Sequence, residues 1–301
     1  MTGAKTPQGI VHVGAHTGQE LEEYRGYAPA IVVWVEADPA VYSTLCQNVE
    51  QYRGLTETIY WCLNALVSDT DGGVLDFFLT NGGGQSSSMF EPTDLHKNRF
   101  PEARPTGEVL HLKSRSLSAL LGDVGLAPSQ IDYLVIDTQG AELKCLGGLG
   151  RYIENLLYLT VEVSTAEFYK GGAQMHELDN YLEAREFLRV SGRRKHGNAL
   201  YLRINPQDSA FDHEMTDRDM QHDQEMREAL NNMINRINIH AGRENLDIAS
   251  LDGELLSVYE KYEPILVQPR SRDVCLTGVR LAYENGMERA FSRFLKPLGW
   301  P

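Results

Sequence analysis

Ile10-Val11-His12-Val13-Gly14-Ala15-His16-Thr17-Gly18-Gln19-Glu20 is the stretch that decides the fold. A short β-branched run passes directly into a turn marked by two glycines, and Gln19–Tyr27 beyond it has helical spacing. Gly14 lets the chain turn tightly and approach a ligand, while Gly18 allows close packing where the helix begins. The first N–H groups of that helix have no partner within it and face the crevice at the end of the strand. Outward from this junction, Ile31–Val35, Thr58–Leu63, Tyr133–Ile136 and Tyr158–Val163 are runs of the same kind. Their apolar character is continuous and not alternating, which predicts strands buried on both faces of a parallel sheet. Ala40–Tyr52 again has helical spacing, so βα units repeat and the fold class is α/β, a doubly wound Rossmann-like sheet.

The regular alternation is interrupted once. Val74–Leu79 and Val109–Leu112 read as strands flanking the Gly- and Ser-rich Asn81–Ser88, a β-hairpin insertion with a long mobile tip. Phe187–Val190 and Ala199–Arg203, joined by the basic Arg193-Arg194-Lys195-His196 turn, read as a closing antiparallel pair. This places a first domain at 1–205 and a second region at 206–301. In the second region, Met226, Leu230, Met233, Ile234 and Ile237 follow helical spacing, as do Val279, Ala282, Met287, Ala290, Phe291 and Phe294 less regularly. It is expected to be a helical C-terminal extension, serving as a lid or an oligomerisation unit.

The bulk properties exclude several classes. A chain of 301 residues with 42% hydrophobic and 23% charged residues is ordinary for a packed globular protein. A net charge of −14 repels a phosphate backbone, so a nucleic-acid substrate is disfavoured. No run approaches the roughly 20 apolar residues of a membrane span, and a cytoplasmic location is expected. Cys46, Cys62, Cys145 and Cys275 lack zinc or disulfide spacing and read as reduced thiols.

The second strand ends in Glu36, about 20 residues beyond the glycine turn, where a carboxylate can accept both hydroxyls of a ribose. The turn itself lacks the Gly-x-Gly-x-x-Gly spacing that holds a pyrophosphate, which favours S-adenosylmethionine (SAM) over a dinucleotide. At the end of the fourth strand, Ile136-Asp137-Thr138-Gln139-Gly140-Ala141-Glu142 places carboxylates at the ligand-binding edge, and Glu162 ends the fifth. Asp137, then Glu162 or Glu142, are the candidate catalytic groups, with His111 and His196 as loop-borne alternatives. A start-of-helix role for Glu142 weighs about equally with function.

In order along the chain, Val13-Gly14-Ala15-His16-Thr17-Gly18-Gln19, Glu36-Ala37-Asp38-Pro39, Asn64-Ala65-Leu66-Val67-Ser68-Asp69, Ser86-Ser87-Ser88 and Ile136–Glu142 resemble the FkbM family of SAM-dependent methyltransferases. The resemblance spans roughly residues 10–203. It implies a class I methyltransferase sheet of seven strands, the last antiparallel. It also implies SAM bound by Gly14, Ala15, His16, Thr17, Gly18, Glu36, Ala37, Asn64, Ala65 and Asp137, with Asp69 a further candidate. Members commonly methylate hydroxyls of sugars, polyketides and other secondary metabolites, so a small-molecule acceptor in natural product biosynthesis is implied. Three positions depart from the family pattern: His12 stands where many members have an acid for the SAM ammonium, Val135 replaces a lysine, and Gln139 replaces a glutamate.

An alcohol acceptor requires in-line positioning and a group to take its proton. Mg²⁺ could serve instead of a protein base, but the sequence does not require a metal. N-methylation, an NAD-linked oxidoreductase and a catalytically silent SAM-binding subunit are the alternatives at this stage, and a homodimer is left open.

Overall fold

A computed structural model describes residues 7–190, 196–203, 224–233, 248–262, 278, 279 and 282. The chain divides into two compact units. Thr6–Arg185 and Arg194–Leu202 form one, and Met1–Lys5, Glu186–Arg193 and Arg203–Pro301 form the other.

The first unit is built as βα repeats: β1 (Gly9–Val13), α1 (Leu21–Tyr27), β2 (Ile31–Glu36), α2 (Pro39–Glu50) and β3 (Ile59–Asn64). After an insertion come α4 (Leu117–Asp123), β7 (Tyr133–Ile136), α5 (Glu142–Gly147), β8 (Tyr158–Ser164), α6 (Met175–Glu183) and β10 (His196–Arg203). Six strands lie in the order β3-β2-β1-β7-β8-β10. All neighbours are parallel except β10, which runs antiparallel to β8 from His196 opposite Ser164 to Leu202 opposite Tyr158. Every residue of β1, β2 and β7 is buried, as their unbroken apolar character predicts.

Strand order reverses between β1 and β7, because the chain goes outward through β2 and β3 before it returns. Open α/β sheets bind ligands at the carboxyl ends of the strands beside such a reversal. Gly14 makes this edge compact. Its φ is +78°, and a Cβ there would lie 1.8 Å from the Asp137 carbonyl oxygen, so only glycine lets β1 and β7 end side by side. Asp38 then starts α2 as its N-cap, accepting from the Ala40 and Val41 N–H groups, with Pro39 pre-set for the first turn.

The insertion is a second sheet. β5 (Val74–Thr80) and β6 (Pro105–Arg115) pair antiparallel as expected from the sequence, and β4 (Leu66–Val67), which the sequence did not reveal, pairs parallel with β6. The tip is not the free loop that its glycines and serines suggest. Ser88 exchanges backbone bonds with Phe78, the Ser88 hydroxyl donates to the Gln139 carbonyl at 2.7 Å, and α3 (Asp94–Arg99) follows behind a Thr93 cap. Loss of backbone bonding is what leaves a loop mobile, and these bonds supply it.

The other unit contains β9 (Phe187–Arg189), α7 (224–233) and α8 (Ile248–Tyr262). Met226, Leu230 and Met233 are buried, as helical spacing predicts, and so are Val279 and Ala282. The expected boundary at 205, the Arg193–Lys195 turn, Cys275, and the pattern positions Ile234, Ile237, Met287, Ala290, Phe291 and Phe294 lie outside the described residues. Among the described residues no helix is long and apolar enough to cross a membrane.

Candidate functional site

The carboxyl edge of the sheet carries an open cleft between the ends of β1, β2 and β7, where open α/β sheets bind ligands. Gly14, His16, Glu36, Ala37, Ala65 and Asp137 line it, all of them sequence-predicted cofactor contacts. Leu66, Val67 and Phe77 form an apolar wall, and Gly84, Gln85 and Ser87 bring the insertion tip to its rim.

The turn between β1 and α1 spends its N–H groups internally. Those of Gly14 and Ala15 both donate to the Val35 carbonyl at 3.0 Å, that of Gly18 to Ala15, and that of His16 to Glu36 Oε2 at 2.8 Å. To reach Glu36, His16 adopts a φ of +46°. Four amides that a phosphate would need are therefore occupied, which is the structural counterpart of the missing dinucleotide spacing.

Glu36 is buried at the end of β2 and is gripped on both oxygens, Oε2 by the His16 N–H and Oε1 by the Asp38 N–H at 2.8 Å. Burial pushes its carboxyl above the usual range, and the two backbone donors oppose that shift. A carboxylate has about four lone-pair sites. Two are taken, so one on each oxygen is left to accept from a ligand in the cleft.

Several predicted residues support this edge without lining the cleft. Asn64 donates through Nδ2 to the Glu36 and Ala37 carbonyls at 2.8 and 3.1 Å, pinning the loop after β2. The Thr17 carbonyl accepts from Asn48 Nδ2 at 2.8 Å, and Ala15 and Gly18 shape the turn. Asp69 pairs with Lys144 at 2.8 Å, which holds its carboxyl below the ordinary range. His12 faces the α1 layer. It stacks on Trp34, its Nδ1 lies 2.9 Å from the Tyr24 hydroxyl, and burial pushes its pKa down to about 3.

Around the end of β7 the carboxylates take unlike environments. Glu142 turns back on its own loop, its Oε1 accepting from the Thr138 and Gly140 N–H groups at 3.0 Å each, and burial raises its pKa to about 7. Asp137 and Glu162 are joined by Gln139, whose Nε2 donates to Asp137 Oδ1 at 2.6 Å and to Glu162 Oε2 at 2.8 Å. Burial, then the Asp137 charge, drive the Glu162 carboxyl well above its ordinary range. Two neighbouring carboxyls in this setting each oppose the other's ionisation. Gln139 reaches both only through a φ of +58°, a left-handed conformation uncommon outside glycine.

A second, small cavity opens beside Glu162, lined by Glu162, Ser164, Phe168, Tyr169 and His196 among others. His196, expected on a loop, is instead the first residue of β10, with Nε2 3.6 Å from Glu162 Oε1. His111, also expected on a loop, lies within β6, where Nδ1 meets Asp76 Oδ1 at 2.8 Å on an exposed face. Gln139 and Tyr169 were missed as site residues. The replacement of the family's glutamate by Gln139 was the available signal for the first, and none existed for the second. Among the described residues no group of three or more His, Cys, Asp or Glu side chains is arranged to hold a metal ion.

With this geometry in hand, comparison with protein families gives a match to the methyltransferase FkbM domain over residues 12–189. The chain belongs to that family. Solved structures similar to this FkbM-domain chain include the methyltransferase FkbM of Methylobacillus flagellatus, with 15% identity, a TM-score of 0.40, and coverage of 65% of this chain and 43% of that one. The chain therefore spans less than half the length of that relative. The M. capricolum TrmK complex with S-adenosylhomocysteine has 12% identity, a TM-score of 0.36, and coverage of 86% and 92%. Magnesium protoporphyrin IX methyltransferase from Synechocystis PCC 6803 with bound SAM has 8% identity, a TM-score of 0.34, and coverage of 64% and 69%. No curated protein matches the chain.

Proposed function

We propose that this FkbM-domain protein is a SAM-dependent methyltransferase that methylates a hydroxyl of a small molecule. The observation that carries the reading is Glu36: a buried carboxylate that lines the cleft and is held by one backbone N–H on each oxygen, which leaves both oxygens capacity to accept again. That arrangement fits the two hydroxyls of a nucleoside ribose, and the apolar wall of Leu66, Val67 and Phe77 fits a base. The occupied amides of the β1–α1 turn argue against a dinucleotide, whose pyrophosphate would need them.

SAM, when bound, supplies an electrophilic methyl group. Glu36, Ala37 and Ala65 would hold its nucleoside, and Gly14 lets the chain approach without a side chain in the way. Asp137, on the cleft wall, offers the negative charge that His12, turned into the α1 layer and neutral, does not. Glu142 acts through the backbone, bracing Thr138 and Gly140 so that Asp137 and Gln139 keep their places. The acceptor is expected to be a small molecule, not a nucleic acid, given the net charge of −14.

Calorimetry tests the cofactor. SAM and S-adenosylhomocysteine should bind and NAD should not, and Glu36→Gln should weaken both ligands by roughly tenfold or more through the lost acceptor site. Tight NAD binding, or SAM binding indifferent to that substitution, would refute the reading. Transfer from methyl-labelled SAM that persists in EDTA would exclude a metal-assisted version.

A further inference from the structure

Glu20, the residue just before α1, carries a carboxyl that the chain itself leaves unsatisfied. Its Oε2 is buried and accepts no hydrogen bond. His12 Nδ1 lies 3.7 Å from that oxygen, beyond hydrogen-bond reach, and meets the Tyr24 hydroxyl at 2.9 Å instead. With its pKa at about 3, the His12 ring is neutral, so its approach to Glu20 is not an ion pair. Among the described residues no lysine or arginine pairs with Glu20. The other acids of this edge are committed. Glu36 accepts from the His16 and Asp38 N–H groups, Glu142 from those of Thr138 and Gly140, and Asp137 and Glu162 from Gln139 Nε2. A buried carboxylate oxygen without a donor is costly, and here the fold supplies none. The donor it lacks is one that a ligand can bring.

The position of Glu20 names the ligand group. It closes the β1–α1 turn that begins at Gly14, and it feels the charges of Asp137 and His16, which both line the cleft. We propose that Glu20 holds the ammonium of SAM, together with Asp137. The inference rests on SAM occupying the cleft. An ammonium donates through every N–H it has and accepts nothing, so it suits an orphaned carboxylate oxygen. Its hydrogen bond to a carboxylate is charge-assisted, and therefore among the stronger ones. Glu36 then serves the ribose end of the cofactor and Glu20 the amino-acid end. Carrying the acid on the turn leaves position 12 free for packing, and the His12 ring stacks on Trp34 in the buried layer under α1.

Calorimetry on the full chain tests this with two ligands. One is S-adenosylhomocysteine; the other is its desamino analogue, which keeps the nucleoside, the thioether and the carboxylate but has no amine. The wild type should bind the first about tenfold more tightly or better. Glu20→Gln should weaken S-adenosylhomocysteine by about tenfold or more and leave the desamino analogue within about twofold, so that the two losses do not add. Glu23→Gln removes the same charge from an exposed position on α1 and should leave both ligands within about twofold. Thermal unfolding of Glu20→Gln without ligand should match the wild type or exceed it, because Oε2 gives up no hydrogen bond and an unpaired charge is removed. The proposal is overturned if Glu20→Gln weakens both ligands equally, weakens neither, or lowers stability alone. A wild type that does not bind S-adenosylhomocysteine at all overturns the cofactor reading instead, and that result is distinguishable from the others.

Discussion

The Tyr169 hydroxyl lies 2.7 Å from Gln139 Oε1, its nearest acceptor, and 3.1 Å from both the Ser86 carbonyl and His96 Nε2, and donation of its one proton to the amide oxygen sets which end of the amide faces the carboxylates. With the oxygen claimed by Tyr169, the NH₂ group must point at Asp137 and Glu162. Tyr169→Phe leaves the half-buried Gln139 Oε1 without its donor, removes the contacts to Ser86 and His96, and frees the amide to flip. We expect a loss of about 1–3 kcal/mol in urea unfolding and a clear fall in methyl transfer. Unchanged stability together with unchanged turnover would show that the amide is oriented by something else.

Gly14→Ala puts a Cβ 1.8 Å from the Asp137 carbonyl oxygen at a φ of +78°. Backbone cannot yield there without separating β1 from β7, so the variant should lose about 4 kcal/mol or fail to fold. Gly26→Ala provides the contrast: nothing lies within 4 Å of its Cβ position. In α1 it should be neutral or stabilising by up to about 1 kcal/mol. Thermal unfolding of the two variants, measured together, checks both statements.

The Glu142 pKa, raised to about 7 by burial, has a definite sign in stability. Between the unfolded carboxyl range and about pH 7 the folded protein retains a proton that the unfolded chain has released. The stability this contributes is complete below the unfolded pKa and is lost as pH rises through the folded value. Glu142→Gln keeps an acceptor for the Thr138 and Gly140 N–H groups but does not titrate. Urea midpoints at about pH 5 and about pH 7.5 should therefore show the wild type losing ground to the variant at the higher pH.

His12 acts in the opposite direction. Its pKa of about 3 lies below the usual histidine value, so the unfolded chain takes up a proton, on acidification, that the folded chain refuses. Its contribution is complete above about pH 6.5 and declines as pH falls toward 3. His12→Phe leaves the Tyr24 hydroxyl without its 2.9 Å partner, and should cost about 1–3 kcal/mol at neutral pH. That deficit should shrink steadily on acidification. A deficit that stays constant with pH would mean that His12 is not held neutral.

The sheet was legible in the sequence because burial on both faces leaves a mark that survives without context, as in Ile31–Val35 and Tyr133–Ile136. The hairpin was legible for the same reason. β4 was not, since two residues carry no period, and the tip was misread because composition cannot show that Ser88 bonds to Phe78 and to Gln139. At the site, positions next to the glycine turn were found by spacing along one chain segment. Gln139 and Tyr169 are partners 30 residues apart, brought together by the fold alone. His12 shows the reverse limit. Its place beside the turn is plain in the sequence, but strand alternation turns its ring toward α1 and away from the cleft.

The two backbone donors on Glu36 have a consequence for selectivity. They leave a pair of buried acceptor sites that two hydroxyls fill and one does not. A 2′-deoxynucleoside would strand an oxygen of that carboxylate in a place water reaches poorly, at a cost of about 1–3 kcal/mol. The cleft would then discriminate ribose from deoxyribose by roughly tenfold to a hundredfold, without any contact that reads the base.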